Sequence, residues 1–471
     1  MRSKVYWILT GGAVLAASLS ASAQGRSEPD AFLNQQRQTD ERVRREAAEQ
    51  RPATQGVDFD YGGWYSFHLF LYDDGVNSSR TFRRHDLRVW TNLRLDEGAH
   101  TIYTRTRLSF LDFNTGDSFD GNDNDWEGPN LERGYYQFDL RSAMRAYAHR
   151  QVDYNLTFKI GRDLATFGTG YAFSTPLDQV WLRSEYKKFV VTGLVGRTVG
   201  SSEELDSSRY VERTRRAFFG VETRYTGFER HEPFAYVLWQ RDHSHDAFWH
   251  PLQDYDYDSF YVGLGSEGEL VRNLRYSTEW VYESGRSYGD RRFLRQDVIR
   301  AWGFDAALEY LFDVKWSPRA SLEYMFASGD PDRLGNPSNA VGGNRNDHTD
   351  RGFNAFGWRD TGLSFAPTLS NIHVWRTGAS FFPFESSAFF RHLELGTNWF
   401  LYYKQRRSAA VSDFTADETS GYLGWEMDYF ANWDITPDLA WTTRYGVFFP
   451  GDAFSDQTTR TFFLVGMTWR F

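Results

Sequence analysis

The 471-residue chain has no cysteine. This excludes a disulfide framework, a zinc–thiolate site, a cysteine nucleophile and a lipid-modified N-terminal cysteine. Cations are outnumbered, 53 Lys and Arg against 63 Asp and Glu, for a net charge of −10. That balance argues against a protein that tracks nucleic-acid phosphates. Past the N-terminus no apolar run reaches the ~18 residues of a spanning helix, so a helical membrane bundle is excluded. No G-x-S-x-G, H-E-x-x-H or P-loop pattern occurs. What the chain does have is aromatic residues, 18% of the total, at a mean hydropathy of −0.60. That combination suits a membrane β-barrel, whose strands alternate lipid-facing and water-facing side chains between aromatic girdles.

Three segments are expected. Arg2 and Lys4, the apolar stretch 5–19 and the small-residue run Ala21-Ser22-Ala23 read as a signal peptide over 1–23. Residues 24–56 carry six arginines and six acids with few large apolar side chains, and read as a polar periplasmic leader. From 57 to 471 the dominant period is two. Leu87, Val89, Thr91 and Leu93 alternate with Arg88, Trp90, Asn92 and Arg94, and Ile102, Thr104 and Thr106 with Tyr103, Arg105 and Arg107. Each such run is about ten residues long, the length a tilted strand needs to cross a bilayer. About 18 strands follow. The connections alternate between short turns, such as 96–98 and 185–187, and long polar loops, such as 199–214 and 329–370. The expected fold is all-β: a transmembrane antiparallel up-and-down barrel with short periplasmic turns and long extracellular loops, in the outer membrane. A connection at 163–177 is expected among the long loops. The apolar-aromatic face of Phe463, Val465, Met467, Trp469 and Phe471 fits the final strand that barrel-assembly machinery recognises.

Inward positions set selectivity. The candidate pore-lining cations are Arg88, Arg94, Arg105, Arg107, Lys159, Arg162, Arg183, Arg216, Arg224 and Arg444. Arg162 has the wrong parity for its strand unless Gly161 marks a bulge that re-aims it. The later strands contribute acids instead, among them Glu279, Glu283, Asp305, Glu309, Glu323, Glu394, Glu426 and Asp428. A guanidinium fork binds a carboxylate at two points, so closely spaced arginines suit a polymer with one carboxylate per sugar. The same residues equally suit cross-strand pairing along a wet wall. The aspartate-rich loop 120–128 is a candidate weak calcium site; no other metal or cofactor is expected. His243 and His245 define no catalytic geometry in a loop, so no enzyme is expected.

Three stretches resemble the alginate-export family of outer-membrane porins. Residues 156–163 with Phe167-Gly168-Thr169-Gly170 resemble its strand ending in Gly-Arg before a glycine-rich loop. Residues 323–330 resemble its late strand entering a Gly-Asp loop, and residues 448–454 its last outer loop. Asp163 departs from that pattern. The resemblance implies a barrel of 18 strands with an arginine-lined constriction gated by loops. The implied function is release of an anionic, alginate-like exopolysaccharide, driven passively by synthesis upstream. A monomer is then expected, in contact with outer-membrane lipid and lipopolysaccharide and with periplasmic polysaccharide-synthesis components. The alternative is a general or anion-selective porin for small solutes. A barrel enzyme and a plugged adhesin are the remaining readings.

Overall fold

A computed structural model describes residues 56–75, 79–118, 124–199, 215–243, 257–287, 296–332, 344 and 346–471. The signal peptide and the leader up to residue 55 lie outside the described residues, as do the first part of the aspartate-rich loop and His245. Eighteen strands make up the described wall: β1 (Val57–Asp73), β2 (Arg80–Leu95), β3 (His100–Phe113), β4 (Asn124–Asp139), β5 (Tyr154–Phe167), β6 (Phe173–Tyr186), β7 (Phe189–Thr198), β8 (Arg216–Tyr225), β9 (His231–Asp242), β10 (Asp258–Val271), β11 (Leu274–Ser287), β12 (Asp297–Leu311), β13 (Arg319–Ala327), β14 (Ile372–Phe381), β15 (Leu393–Lys404), β16 (Tyr422–Thr436), β17 (Leu439–Pro450) and β18 (Arg460–Arg470). Each pairs antiparallel with its sequence neighbours. The sheet closes where β1 meets β18, in register from Trp64↔Arg470 to Asp73↔Thr461. A two-residue segment, Thr349–Asp350, pairs parallel with Val298 and Ile299 of β12.

The period-two pattern maps onto the two faces. Leu87 and Val89 are exposed on the outer face, while Asp86, of the opposite parity, is buried inside. Large apolar residues stay exposed all round the outer wall, among them Ile102, Val180, Leu182, Val195, Val221, Trp302 and Trp399. In water such a surface would aggregate; against lipid it is the favourable one. Aromatic residues gather at both ends. Near the long-loop rim Phe110 meets Trp126, Phe219 meets Trp239, and Trp425 stacks on Phe449 at 4.5 Å. Near the short-turn rim Phe189 meets Tyr225, and Phe390 stacks on Trp433.

One short-rim connection is longer than a turn because it contains the only α-helix among the described residues, α1 (Leu140–Ala148). Asp139 caps it by accepting from the Ser142 N–H at 2.8 Å, and His149 ends it in the left-handed region. At the opposite rim, the long loop expected at 163–177 does not exist. β5 runs on to Phe167 and β6 begins at Phe173, leaving a five-residue hairpin tip. The apolar core lies inside the long-loop half of the barrel. There Tyr171, Phe353, Phe356 and Phe365 from inward-folded connections pack against wall residues such as Phe173, Phe218, Tyr261 and Phe448.

Candidate permeation site

Two walls of different chemistry face each other across the lumen. The first is cationic and is built by β2–β5. Register places Arg88 opposite Arg107 and Arg105 opposite Arg133. Directly paired residues share a face, so these side chains line one surface. Carboxylates are interleaved with them. Glu132 bridges Arg88 Nε at 3.2 Å and Arg105 Nε at 2.6 Å. Arg84 is 3.0 Å from Asp86, and Arg107 is 3.1 Å from Glu127. Asp163 takes both Arg133, at 2.6 Å, and Lys159, at 2.8 Å. Aromatic faces back the cations: Trp64 under Arg88 and Arg105, and Tyr135 and Trp181 around Lys159. Six cations share four carboxylates here, so the surface keeps a positive excess. The pairing fixes the arginines in place along this wall.

The second wall is acidic, and its carboxylates are occupied. Of the connection between β13 and β14, residues 346–371 fold inward as a strap across the lumen. Its backbone is irregular, so its N–H groups need acceptors away from water, and the wall supplies them. Glu283 accepts the Asn354 N–H at 2.9 Å. Glu426 accepts three in succession, from Leu363 and Ser364 at 2.6 Å and Phe365 at 2.9 Å. Strap Arg359 donates to Asp305 at 2.9 and 3.0 Å and lies 3.7 Å from Glu323. Arg376 of β14 joins Glu323 at 3.0 Å to strap Asp360 at 3.1 Å. Gly362 has φ +109, and a Cβ there would sit 2.5 Å from the Tyr402 hydroxyl and 2.8 Å from the Glu426 carboxyl, so only glycine fits. Leu363 then reaches a cluster with Phe70, Phe82, Phe462 and Leu464, on β1, β2 and β18. The strap thus runs from β12 to the seam of the barrel.

The tip of the β5–β6 hairpin folds down beside it. The Gly168 N–H donates to Glu222 and the Thr169 N–H to Glu279, both at 2.6 Å. The Tyr171 hydroxyl donates to the Phe326 carbonyl at 2.5 Å, and its ring stacks on Phe353. Hairpin and strap are tied together: the Trp358 N–H donates to the Gly170 carbonyl, and the Phe356 N–H to the Ala172 carbonyl.

The ten candidate cations fall into separate groups. Arg88, Arg105, Arg107 and Lys159 come together on the cationic wall. Arg94, paired with Asp58, and Arg183, 3.2 Å from Glu185, lie on inward positions near the short-turn rim. Arg216 is fully buried under the strap, 3.7 Å from Asp242 and over the Phe356 ring. Arg224 is held by Glu222, Glu267 and the Gly168 carbonyl of the hairpin tip. Arg444 lies over Phe430 of β16. Arg162 is the exception. Register is unbroken on both sides of Gly161, despite its φ of +130. With no bulge to re-aim it, Arg162 shares the outer face with Ile160, chelated by Asp178 at 2.8 and 3.2 Å. Two inward cations are additional. Arg84 lies in a stretch that reads as loop, and Arg133, directly opposite Arg105, is the last residue of the regular register before the shifts toward Asn124. For the calcium site, residues 120–123 are outside the described residues, and Asn124 to Gly128 open β4.

A family model described as "Alginate export" matches residues 176–465. Two of the three resembling stretches lie within that span; the one at 156–170 precedes it. Among curated proteins none matches the sequence significantly. Solved structures similar to the fold include Pseudomonas aeruginosa OccK1 (OpdK), with TM-score 0.53, 11% identity, and coverage of 88% of this chain and 98% of that one. OccK2 (OpdF) of the same organism, solved in complex with glucuronate, gives TM-score 0.53 and 12% identity, covering 88% and 96%. OccK8 (OprE) gives TM-score 0.50 at 8% identity, covering 88% and 98%. At such identities the likeness is one of fold.

Proposed function

Because the chain belongs to the alginate export family, a family of outer-membrane channels, we propose that it releases an anionic exopolysaccharide across the outer membrane along the β2–β5 wall. The observation that carries this reading is the cationic surface of Arg84, Arg88, Arg105, Arg107, Arg133 and Lys159 facing a strap that fills the opposite side. A polyuronate presents one carboxylate per sugar and would pass from one guanidinium to the next. Each site is partly neutralised by Glu132, Glu127, Asp86 or Asp163, so binding is weak enough at every step for the chain to leave. Catalysis has no part in it; the driving force comes from the polymer made behind it. The strap serves as the gate.

The test is conductance in planar bilayers with added polyuronate. Anion selectivity and block by polyuronate from the periplasmic side support the reading. A pore permeable equally to chloride and potassium and indifferent to polyuronate overturns it. The second reading, a small-solute porin, is favoured by the tight fixing of the strap, which narrows the lumen. Small organic anions would then permeate without any effect of polymer, and the protein would run as a trimer in detergent, where the exporter runs as a monomer.

A further inference from the structure

The outer face carries a second basic surface, apart from the lumen. Near the long-loop rim Arg197, Arg241, Arg286 and Arg300 are exposed. All four share the parity of lipid-facing residues on their own strands: Val195 on β7, Trp239 on β9, Tyr282 on β11 and Trp302 on β12, each of them exposed. Register draws the cations into one belt. Arg197 pairs with Ala217, and Ala217 with Arg241. Asp258 pairs with Arg286, and Ser284 with Arg300. The belt is under-neutralised: Asp258 lies 3.9 Å from Arg241, and Arg197, Arg286 and Arg300 have no ion pair among the described residues.

The rest of the circumference differs. On β2 and β3 the outward Arg83 is matched by Asp112 at 3.4 Å. On β14–β18 the outward residues toward the same rim include His373, Tyr403, Trp425, Phe449 and Phe463, without an arginine or lysine. The belt is therefore a local feature of β7–β12. Its arginines sit just beyond an aromatic and aliphatic face. Whatever binds there must put acyl chains against Trp239, Phe260, Tyr282 and Trp302, and anionic groups against the guanidinium row.

We infer that the β7–β12 face is a docking surface for a phosphorylated, multiply acylated glycolipid of the outer leaflet, whose phosphates are held by Arg197, Arg241, Arg286 and Arg300. This gives the expected lipopolysaccharide contact a location, and it does not depend on which solute the lumen passes. Guanidinium groups pair with phosphate oxygens at two points and stay charged throughout the accessible pH range. The chemistry matches a lipid rather than a free anion because the cations flank an apolar face that a free phosphate would leave bare.

The detergent-purified full chain and the variant R197Q/R241Q/R286Q/R300Q are titrated with a bisphosphorylated hexa-acyl glycolipid, its dephosphorylated form and inorganic phosphate. Bound lipid is counted by native mass spectrometry. Exposed charge pairs are weak individually, about a factor of two each, so the variant is expected to lose roughly tenfold in affinity for the phosphorylated lipid. Affinity for the dephosphorylated form should not change. The four Arg→Lys replacements should keep most of the binding, and R272Q, at the short-turn rim, all of it. Wild-type-like conductance of the Gln variant establishes that the barrel is intact. Equal binding of phosphorylated lipid by variant and wild type overturns the inference. So does equal binding of the two lipid forms by the wild type, or displacement of the lipid by inorganic phosphate alone.

Discussion

Arg359 and Asp305 meet inside the barrel, guanidinium to carboxylate at 2.9 and 3.0 Å, one from the strap and one from β12. Both are buried, so neither has water to replace the other. Removing one partner of a buried pair costs about 3–5 kcal/mol. The cost falls on the strap, because the ladder of β12 is held by its neighbours. R359Q and D305N are therefore expected to leave the barrel folded while loosening the strap. Single-channel recordings should show higher conductance and more frequent transitions than wild type. An unchanged conductance in a correctly inserted variant would mean that this pair does not hold the gate.

Gly362 offers a backbone route to the same end. Any side chain at φ +109 is strained and collides with Tyr402 and Glu426. G362A should displace the turn that presents three N–H groups to Glu426. Limited proteolysis should then cut within 352–366, which the wild type protects. Deleting 352–366 should open the pore further, since the wall contacts of the strap lie there.

The proposed path along β2–β5 makes selectivity depend on the balance of charge there. R105A/R107A removes two cations, leaves Glu127 without Arg107 and Glu132 with Arg88 alone, so the anion preference should fall or invert. Reversal potentials in a KCl gradient measure this directly. Polyuronate block should weaken in the same variant and, in the wild type, as ionic strength rises from 0.1 M to 1 M and the Debye length shrinks from about 10 Å to 3 Å.

E132Q tests the opposite sign. Glu132 is shared by Arg88 and Arg105, and its neutralisation releases charge on both. Anion preference and polyuronate block should increase, with slower polymer exit. A decrease would show that Glu132 acts by positioning the arginines rather than by offsetting them.

The barrel of about 18 strands and most of its faces were legible in the sequence, because a wall between lipid and water imposes period two on its segments. Arg88, Arg105 and Arg107 could be placed inside from parity alone. Parity fails at irregularities. A bulge invoked at Gly161 turned Arg162 inward when the ladder holds it outward. The acids of the later strands were visible as a group, but their task was not. Glu426 and Glu283 bind the backbone of a segment far along the chain, and backbone N–H groups leave no mark on composition. The resemblance implied gating by loops, and 329–370 reads as one of the long ones; which walls it grips depends on contacts that only the fold brings together.

The seam between β1 and β18 bears on the order of events in assembly. Ten rungs there, and the mutual hydrogen bonds of Gly63 and Phe471 at 2.9 and 3.0 Å, join segments separated by nearly the whole barrel sequence. Until the last strand arrives, β1 presents a long bare edge, and bare edges recruit other chains. Contacts this distant in sequence also form slowly. The nascent ring therefore needs an outside strand to shield β1 while it grows. Weakening the Trp469–Phe471 face would act first on how many rings close, before it altered any ring already closed.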